Sequence, residues 1–218
     1  MTEENKPIII VDDTSTTITV PTQDVAKILQ SNEPSKNEIS LPNLELLFYP
    51  NSILRQKSEP IEKITDEIVQ LAKDMIQYMG ALGGLGLSAI QVGIPKRLCV
   101  LRDEKDNAFS LVNPVIVETE GEIKLKEGCL SFPGIFAQVI RPKSAKIRSL
   151  TIDGTEKDFI LEGMACRAVL HEIDHMDGIL FIEKLNKIEK MFIQNKLRLL
   201  PRKIKQWQKK KIEKSLLP

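Results

Sequence analysis

The chain has 218 residues, 42% hydrophobic and 28% charged, which suits one domain of ordinary size with a proper core and excludes wholesale disorder. No apolar run approaches the length that spans a bilayer, so a membrane partner is not expected; the acidic start Met1-Thr2-Glu3-Glu4 is unlike a basic leader and predicts a cytoplasmic protein. The net charge of +1 hides an asymmetry: residues 1–183 hold 19 Lys+Arg against 28 Asp+Glu, whereas residues 184–218 hold 12 against 2. An anionic partner, nucleic acid above all, and a solvated basic helix are equally good readings of that tail.

Residues 1–43 read as an N-terminal extension, expected to be flexible. It has β-branched runs at Ile8–Val11 and Thr16–Val20, a short helix over Thr22–Gln30, and a polar linker from Ser31 to Asn37. Apolar residues at Ile64, Ile68, Leu71, Ala72, Met75, Ile76 and Met79 predict an amphipathic helix over Glu62–Met79, with Gly80 and Gly83-Gly84 at its end. Strands are predicted at Arg97–Arg102, Phe109–Val117, Gly121–Lys126, Phe136–Ile140, Ala145–Leu150 and Lys157–Leu161, with Asp153-Gly154 the clearest hairpin turn. A second helix runs from Gly163 to Met176. A third begins at Lys187, carries Ile188, Met191, Phe192, Leu197, Leu199 and Leu200 toward the body, and is interrupted by Pro201. Strands in the middle with helices at either side predict an α+β fold rather than alternating βαβ units.

Two residue types are scarce. Three cysteines cannot build a disulfide framework in a domain this large, so the thiols are core filler or ligands. The chain has only two histidines, and both lie in His171-Glu172-Ile173-Asp174-His175. Spacing of i and i+4 sets two imidazoles one turn apart on one helix face, within reach of one metal. A metal lowers the pKa of water from ~15.7 toward ~7, and Glu172 stands beside that face to take the proton.

A catalytic site of this kind needs three protein ligands and an open position. A third histidine is not available, because position 181 is Phe181. Glu183 is too close along the chain, which leaves Glu189 as the ligand of a zinc peptidase. Cys129 is the better candidate, since Glu127-Gly128-Cys129-Leu130-Ser131 flanks the thiol with small and polar residues. Cys99, between Leu98 and Val100, reads as core, and Cys166 lies on the wrong face of the histidine helix. A glycine-rich segment, Gly83-Gly84-Leu85-Gly86-Leu87-Ser88-Ala89-Ile90-Gln91, lacks the Lys-Ser/Thr ending of a phosphate loop.

Gly84–Gln91, Glu127–Ser131 and His171–His175 together resemble the peptide deformylase family, whose signatures G-x-G-x-A-A-x-Q, E-G-C-L-S and H-E-x-D-H come in that order. The resemblance covers about Leu44 to Leu185 and implies antiparallel β-sheets packed around a central helix that carries the histidine motif, followed by a C-terminal helix. It divides the chain into the extension 1–43, a catalytic domain 44–186 and a basic C-terminal tail 187–218. The implied activity is removal of the N-formyl group from the methionine of nascent peptides.

By the same resemblance, Cys129, His171 and His175 hold one divalent metal, Fe²⁺ first, with Zn²⁺, Ni²⁺ or Co²⁺ as substitutes. Glu172 is the general base and acid, and the Gln91 amide and Leu130 backbone N–H donate to the formyl oxygen. Gly84, Leu85, Gly86 and Gly128 line the peptide. Met164 and Ala168 join Leu85 and His171 around the methionine side chain, although core packing explains Leu85, Met164 and Ala168 equally well. Glu127 and Asp174 support the histidines, with Arg141 as partner of one of them. A ribosome contact through the basic tail fits that activity. Three positions depart from the pattern: Ser88 replaces an alanine, Leu170 a glutamine and Phe136 an arginine that contacts substrate. Besides the peptidase, a catalytically silent relative with a structural metal remains an alternative.

Overall fold

The structure, a computed structural model, describes residues 9–11, 17–18, 43–103 and 106–215. Helix α1, Asp66–Ala81, buries Ala72, Met75 and Met79 on one stripe and carries Asp66 and Glu67 at its positive end. It begins four residues later than the periodicity predicts. Asn113 takes both backbone groups of Ile61, accepting from its N–H at 2.8 Å and donating to its carbonyl at 2.7 Å, which ties the lead-in segment to the sheet before Thr65 turns it into helix.

Strands β1 (Ile9–Val11), β2 (Thr17–Ile18), β3 (Gly86–Ser88), β4 (Leu98–Arg102), β5 (Ala108–Glu120), β8 (Ser144–Leu150) and β9 (Glu156–Glu162) form a seven-stranded antiparallel sheet, ordered β2-β1-β9-β8-β5-β4-β3. Strands β6 (Ile123–Gly128) and β7 (Phe136–Arg141) form a separate two-stranded sheet. The β-branched runs of the extension thus add two strands to the edge at β9, with Ile10 opposite Phe159. The expected helix at 22–30 and the linker at 31–37 lie outside the described residues.

Within β5 the pairing with β8 shifts register between Val112 and Val115. Pro114 has no N–H to give the ladder, and Asn113 takes a positive φ of 52°, so the strand bulges there and continues. Strand β6 starts two residues later than predicted because Gly121, at φ 63°, is spent in redirecting the chain out of β5, whose last carbonyl, on Glu120, accepts from the Lys143 N–H next to β8. It consequently runs two residues further and delivers the Glu127-Gly128 pair directly to Cys129.

Helix α2, Gly163–Met176, follows β9 without a break and keeps its predicted bounds. Its Cys166, Val169, Leu170, Ile173 and Met176 pack on Cys99, Leu101, Leu111, Ile147, Phe159 and Leu161 of the large sheet. Helix α3 runs Lys187–Ser215, so the expected interruption at Pro201 does not occur. The missing N–H frees only the carbonyl one turn back, while Leu200 and Ile204 on either side are anchored in a core with Phe132, Val139 and Phe181. The inward line is Ile193, Leu197, Leu200 and Ile204. Ile188, Met191, Phe192 and Leu199, expected to face the body, are exposed. No helix among the described residues is long and apolar enough to cross a membrane. The architecture is α+β, with antiparallel sheets and a C-terminal helix.

Candidate active site

The end of β6, the turn before β7 and the middle of α2 meet at one point. Cys129, His171 and His175 each offer a ligand atom there, and these atoms lie within 4.8 Å of one another, with Cys129 Sγ 3.1 Å from His175 Nε2. Donors that bind one ion at ~2.0–2.3 Å sit at such mutual distances, and the thiolate and two imidazoles suit zinc or iron. The residues present therefore fit a divalent metal. Glu189, the alternative ligand, is elsewhere: it pairs with Lys124 at 3.3 Å at the start of α3.

His171 is oriented from behind. Its Nδ1 donates to Glu127 Oε1 at 2.7 Å, which turns Nε2 toward the thiol. Glu127 is buried and accepts three further hydrogen bonds, from Arg141 Nε and Nη2 and from Arg167 Nη1, all at 2.7 Å. Arg141 also donates to Asp174 at 2.7 Å, and Lys184 reaches the same carboxylate at 3.0 Å. Arg141 thus partners both supporting carboxylates, not one. Burial would raise the Glu127 pKa, but the bonds from Arg141 and His171 hold it well below the usual carboxylate range. Burial would likewise lower His171, yet the Cys129 and Glu127 contacts keep it above its ordinary value. Burial and the neighbouring His171 push His175 down, leaving it a neutral donor.

Glu172 is buried, and burial raises its carboxyl to about 7 against the lowering influence of His171 and a hydrogen bond from Ser88. One of its oxygens, Oε2, is buried without a hydrogen bond. An unmet acceptor near neutrality is suited to moving a proton at pH 7. The glycine segment explains itself here: a Cβ on Gly86 would collide with the Glu172 carboxylate. Gly86 is in β3, a strand the glycine pattern concealed.

Gln91 is fully buried in the short turn Ala89–Val92 after β3, with its carboxamide directed at the ligand cluster. Nε2 donates to Ser131 Oγ at 3.2 Å and lies 3.4 Å from Cys129 Sγ. Leu130 follows Cys129 in the turn held by the Phe132 N–H on the Cys129 carbonyl, and its side chain sits 2.9 Å from where a Cβ on Gly84 would be. Gly128 faces the Phe136 ring so closely that a Cβ would lie 2.5 Å from it, and Lys126 Nζ stands 4.9 Å from that ring's centre. Leu85 and Met164 are 47% and 43% exposed, and Ala168, one turn before His171, packs against the core under α2.

The family model for polypeptide deformylase matches residues 43–191. The chain belongs to the peptide deformylase family. A peptide deformylase of Desulforudis audaxviator is 40% identical over 147 residues, covering 67% of this chain and 96% of that protein. The Plasmodium falciparum peptide deformylase superposes with a TM-score of 0.69 at 38% identity, covering 74% of this chain and 97% of that one. Arabidopsis thaliana peptide deformylase 1B, solved with an inhibitor, gives a TM-score of 0.70 at 34% identity, covering 80% and 96%. The deformylase activity, metal-dependent hydrolysis of the formyl group on the N-terminal methionine of new proteins, is therefore the activity of this chain.

Three residues of the site region escape a reading of motifs. Arg167 fastens Glu127 and also donates to the Ile123 and Val139 carbonyls at 3.1 and 3.2 Å, clamping the β6–β7 sheet to α2. The signal for it is a charged residue four before His171 on the buried face of the helix. Ser131 and Ser88 bracket the Gln91 carboxamide; one is a signature letter and the other a departure from a signature, but the spacing gives neither a role.

Proposed function

We propose that Cys129, His171 and His175 hold one divalent metal, Fe²⁺ by preference and Zn²⁺, Ni²⁺ or Co²⁺ as substitutes, in a formyl-methionyl peptide hydrolase of the cytoplasm. The convergence of the three donor atoms, with His171 oriented by Glu127, carries this reading. Held by these three residues, such a metal would supply Lewis acidity toward the formyl oxygen and toward water at neutral pH. Glu172 accepts the proton of the attacking water and passes it to the peptide amine as the formyl C–N bond breaks and formate leaves. Gln91 Nε2 and the Leu130 N–H donate to the formyl oxygen as negative charge develops there. Gly84, Leu85, Gly86 and Gly128 line the path of the peptide backbone, and Leu85, Met164 and Ala168 wall the methionine side chain.

Metal content of anaerobically purified protein tests the ligand set. Cys129→Ala falls below one-tenth of the wild-type metal and Glu189→Ala keeps all of it; the reverse pattern would reinstate the peptidase ligand set.

In this reading residues 44–186 form the catalytic domain, 1–43 an extension and 187–218 a basic tail that contacts the ribosome. The charge of residues 184–218, 12 basic against 2 acidic, supports that contact. Because Ile193, Leu200 and Ile204 are core, the suitable truncation ends the chain at Gln206. Salt-sensitive co-sedimentation with ribosomes is weakened by that truncation, which removes Lys209, Lys210, Lys211 and Lys214, and lost when the exposed Lys196, Arg198, Lys203 and Lys205 are also replaced by Glu; unchanged binding in that variant would sink the proposal.

A further inference from the structure

The two ends of the Gln91 carboxamide are alike in shape and opposite in function, since one donates and the other accepts. Only the Nε2 end assists an oxygen that is gaining negative charge. A half-turn about the last side-chain bond would present a lone pair instead. Two hydrogen bonds hold Oε1 away from the ligand cluster: the Ser88 N–H at 2.9 Å and the Ser88 hydroxyl at 3.0 Å. Ser88 is fully buried, so no solvent competes for either bond. Its backbone is fixed independently by the pairing of β3 with β4, where Ser88 stands opposite Cys99.

We propose that the Ser88 hydroxyl is a positioning group for the deformylation step, holding the Gln91 carboxamide with Nε2 toward the formyl oxygen. The inference rests on the role given to Gln91 above. The family signature has alanine at this place, which leaves the backbone N–H alone on Oε1. This chain adds a second donor to the same acceptor. A flipped carboxamide would set Nε2 against the Ser88 N–H, donor to donor, so the backbone bond supplies most of the preference and the hydroxyl strengthens it. The expected effect is therefore several-fold and not the loss that follows removal of Gln91 itself.

Ser88→Ala removes one atom from a sealed position and leaves the β3–β4 pairing intact. With formyl-Met peptides, kcat of Ser88→Ala falls about five- to tenfold while KM stays within about twofold. The Ser88 hydroxyl also meets the Glu172 carboxylate, and a role through Glu172, like a merely structural role, predicts the same loss whatever stands at position 91. A positioning role predicts that Ser88→Ala costs less than about twofold when introduced into Gln91→Ala. A second readout needs neither metal nor turnover. The Gln91 side-chain NH₂ resonances, assigned by their disappearance in Gln91→Glu, are sharp in metal-free wild type and broadened or shifted in Ser88→Ala. An unchanged kcat with unchanged resonances overturns the proposal, as does an equal loss in both backgrounds. Wild-type activity in Gln91→Ala would remove the role of Gln91 and this inference with it. A wild type that releases no formate would instead count against the function, and the resonances would still decide what Ser88 holds.

Discussion

Helices α2 and α3 are both amphipathic, yet they use charge in opposite ways. On α2, Arg167, His171, Glu172 and His175 are buried together with the apolar residues of the same helix. On α3 the described charged residues face outward or to the rim, and among the described residues only Ile193, Leu200 and Ile204 are buried. A buried charge is tolerable when a partner meets it. Glu127 meets both Arg167 and His171, and Asp174 is tied to Arg141 and Lys184. Three polar atoms of this helix are buried without a hydrogen bond, Arg167 Nε, His175 Nδ1 and Glu172 Oε2, and of these Glu172 Oε2 is the only carboxylate oxygen and belongs to the group to which we assign proton transfer. Among its described residues helix α3 has no such network, only the Glu189–Lys124 pair at its start, and its packing is ordinary hydrophobic anchoring. The comparison separates a helix whose polar groups are held for chemistry from one whose polar groups are held by solvent.

The largest effect should come from cutting the network behind α2. Arg141→Ala leaves Glu127 and Asp174 each short of a buried partner and destabilises the fold by about 3–5 kcal/mol. Metal affinity should drop by about 10- to 100-fold as His171 loses its fixed orientation. Chemical denaturation and metal titration check the two parts, and a purely structural loss with unchanged metal affinity would blur the distinction between the helices.

On α3 the matching cut is Leu200→Ala, expected to cost about 3 kcal/mol by loss of buried surface and cavity formation. Below the melting range its kcat/KM should remain that of wild type. A change in kcat/KM there would mean that α3 reaches the site.

The buried carboxyl of Glu172 gives a pH-dependent effect of the next size. Its pKa is raised to about 7 from 4.5, so the folded protein holds its proton where the unfolded chain has lost it. Its favourable contribution is present below pH 4.5 and is lost as the pH rises through about 7. Metal-free Glu172→Gln should accordingly exceed metal-free wild type in stability by about 2 kcal/mol at pH 8 and match it at pH 4. Glu127 runs the other way: its lowered pKa stabilises the fold above its ordinary value, and that stability fades in acid. The smallest effect is expected at Phe192, 74% exposed, where Phe192→Ala should shift stability by less than about 0.5 kcal/mol.

The two helices also differ in how well the sequence discloses them. The bounds of α2 are legible because the apolar period, Gly163 and Asp177-Gly178 all agree. On α3 two apolar ridges, Ile188-Met191-Phe192-Leu199 and Ile193-Leu197-Leu200-Ile204, lie roughly 140° apart. Periodicity alone cannot choose the inner one, because the choice depends on the Phe132 and Phe181 surface that receives it. Pro201 misleads for the same reason, since tertiary packing carries the helix past a residue that local propensity would stop at. Strand β3 is hidden because Gly86 and Ser88 have low strand propensity and are glycine and serine for the sake of Glu172 and Gln91. The cluster of Cys129, His171 and His175, with Glu172 and Gln91 beside it, is legible because signature spacing is chemical; the roles of ligand, base and donor are those we propose. Arg167 is not, because its role exists only once β6, β7 and α2 have come together.

Formate release from a formyl-Met peptide, by anaerobically purified wild type and Glu172→Ala of equal metal content, tests the central claim most directly. The account predicts release by wild type and a fall of about 10³-fold or more in the variant. Wild-type silence with metal bound, or a variant that keeps its rate, would contradict it.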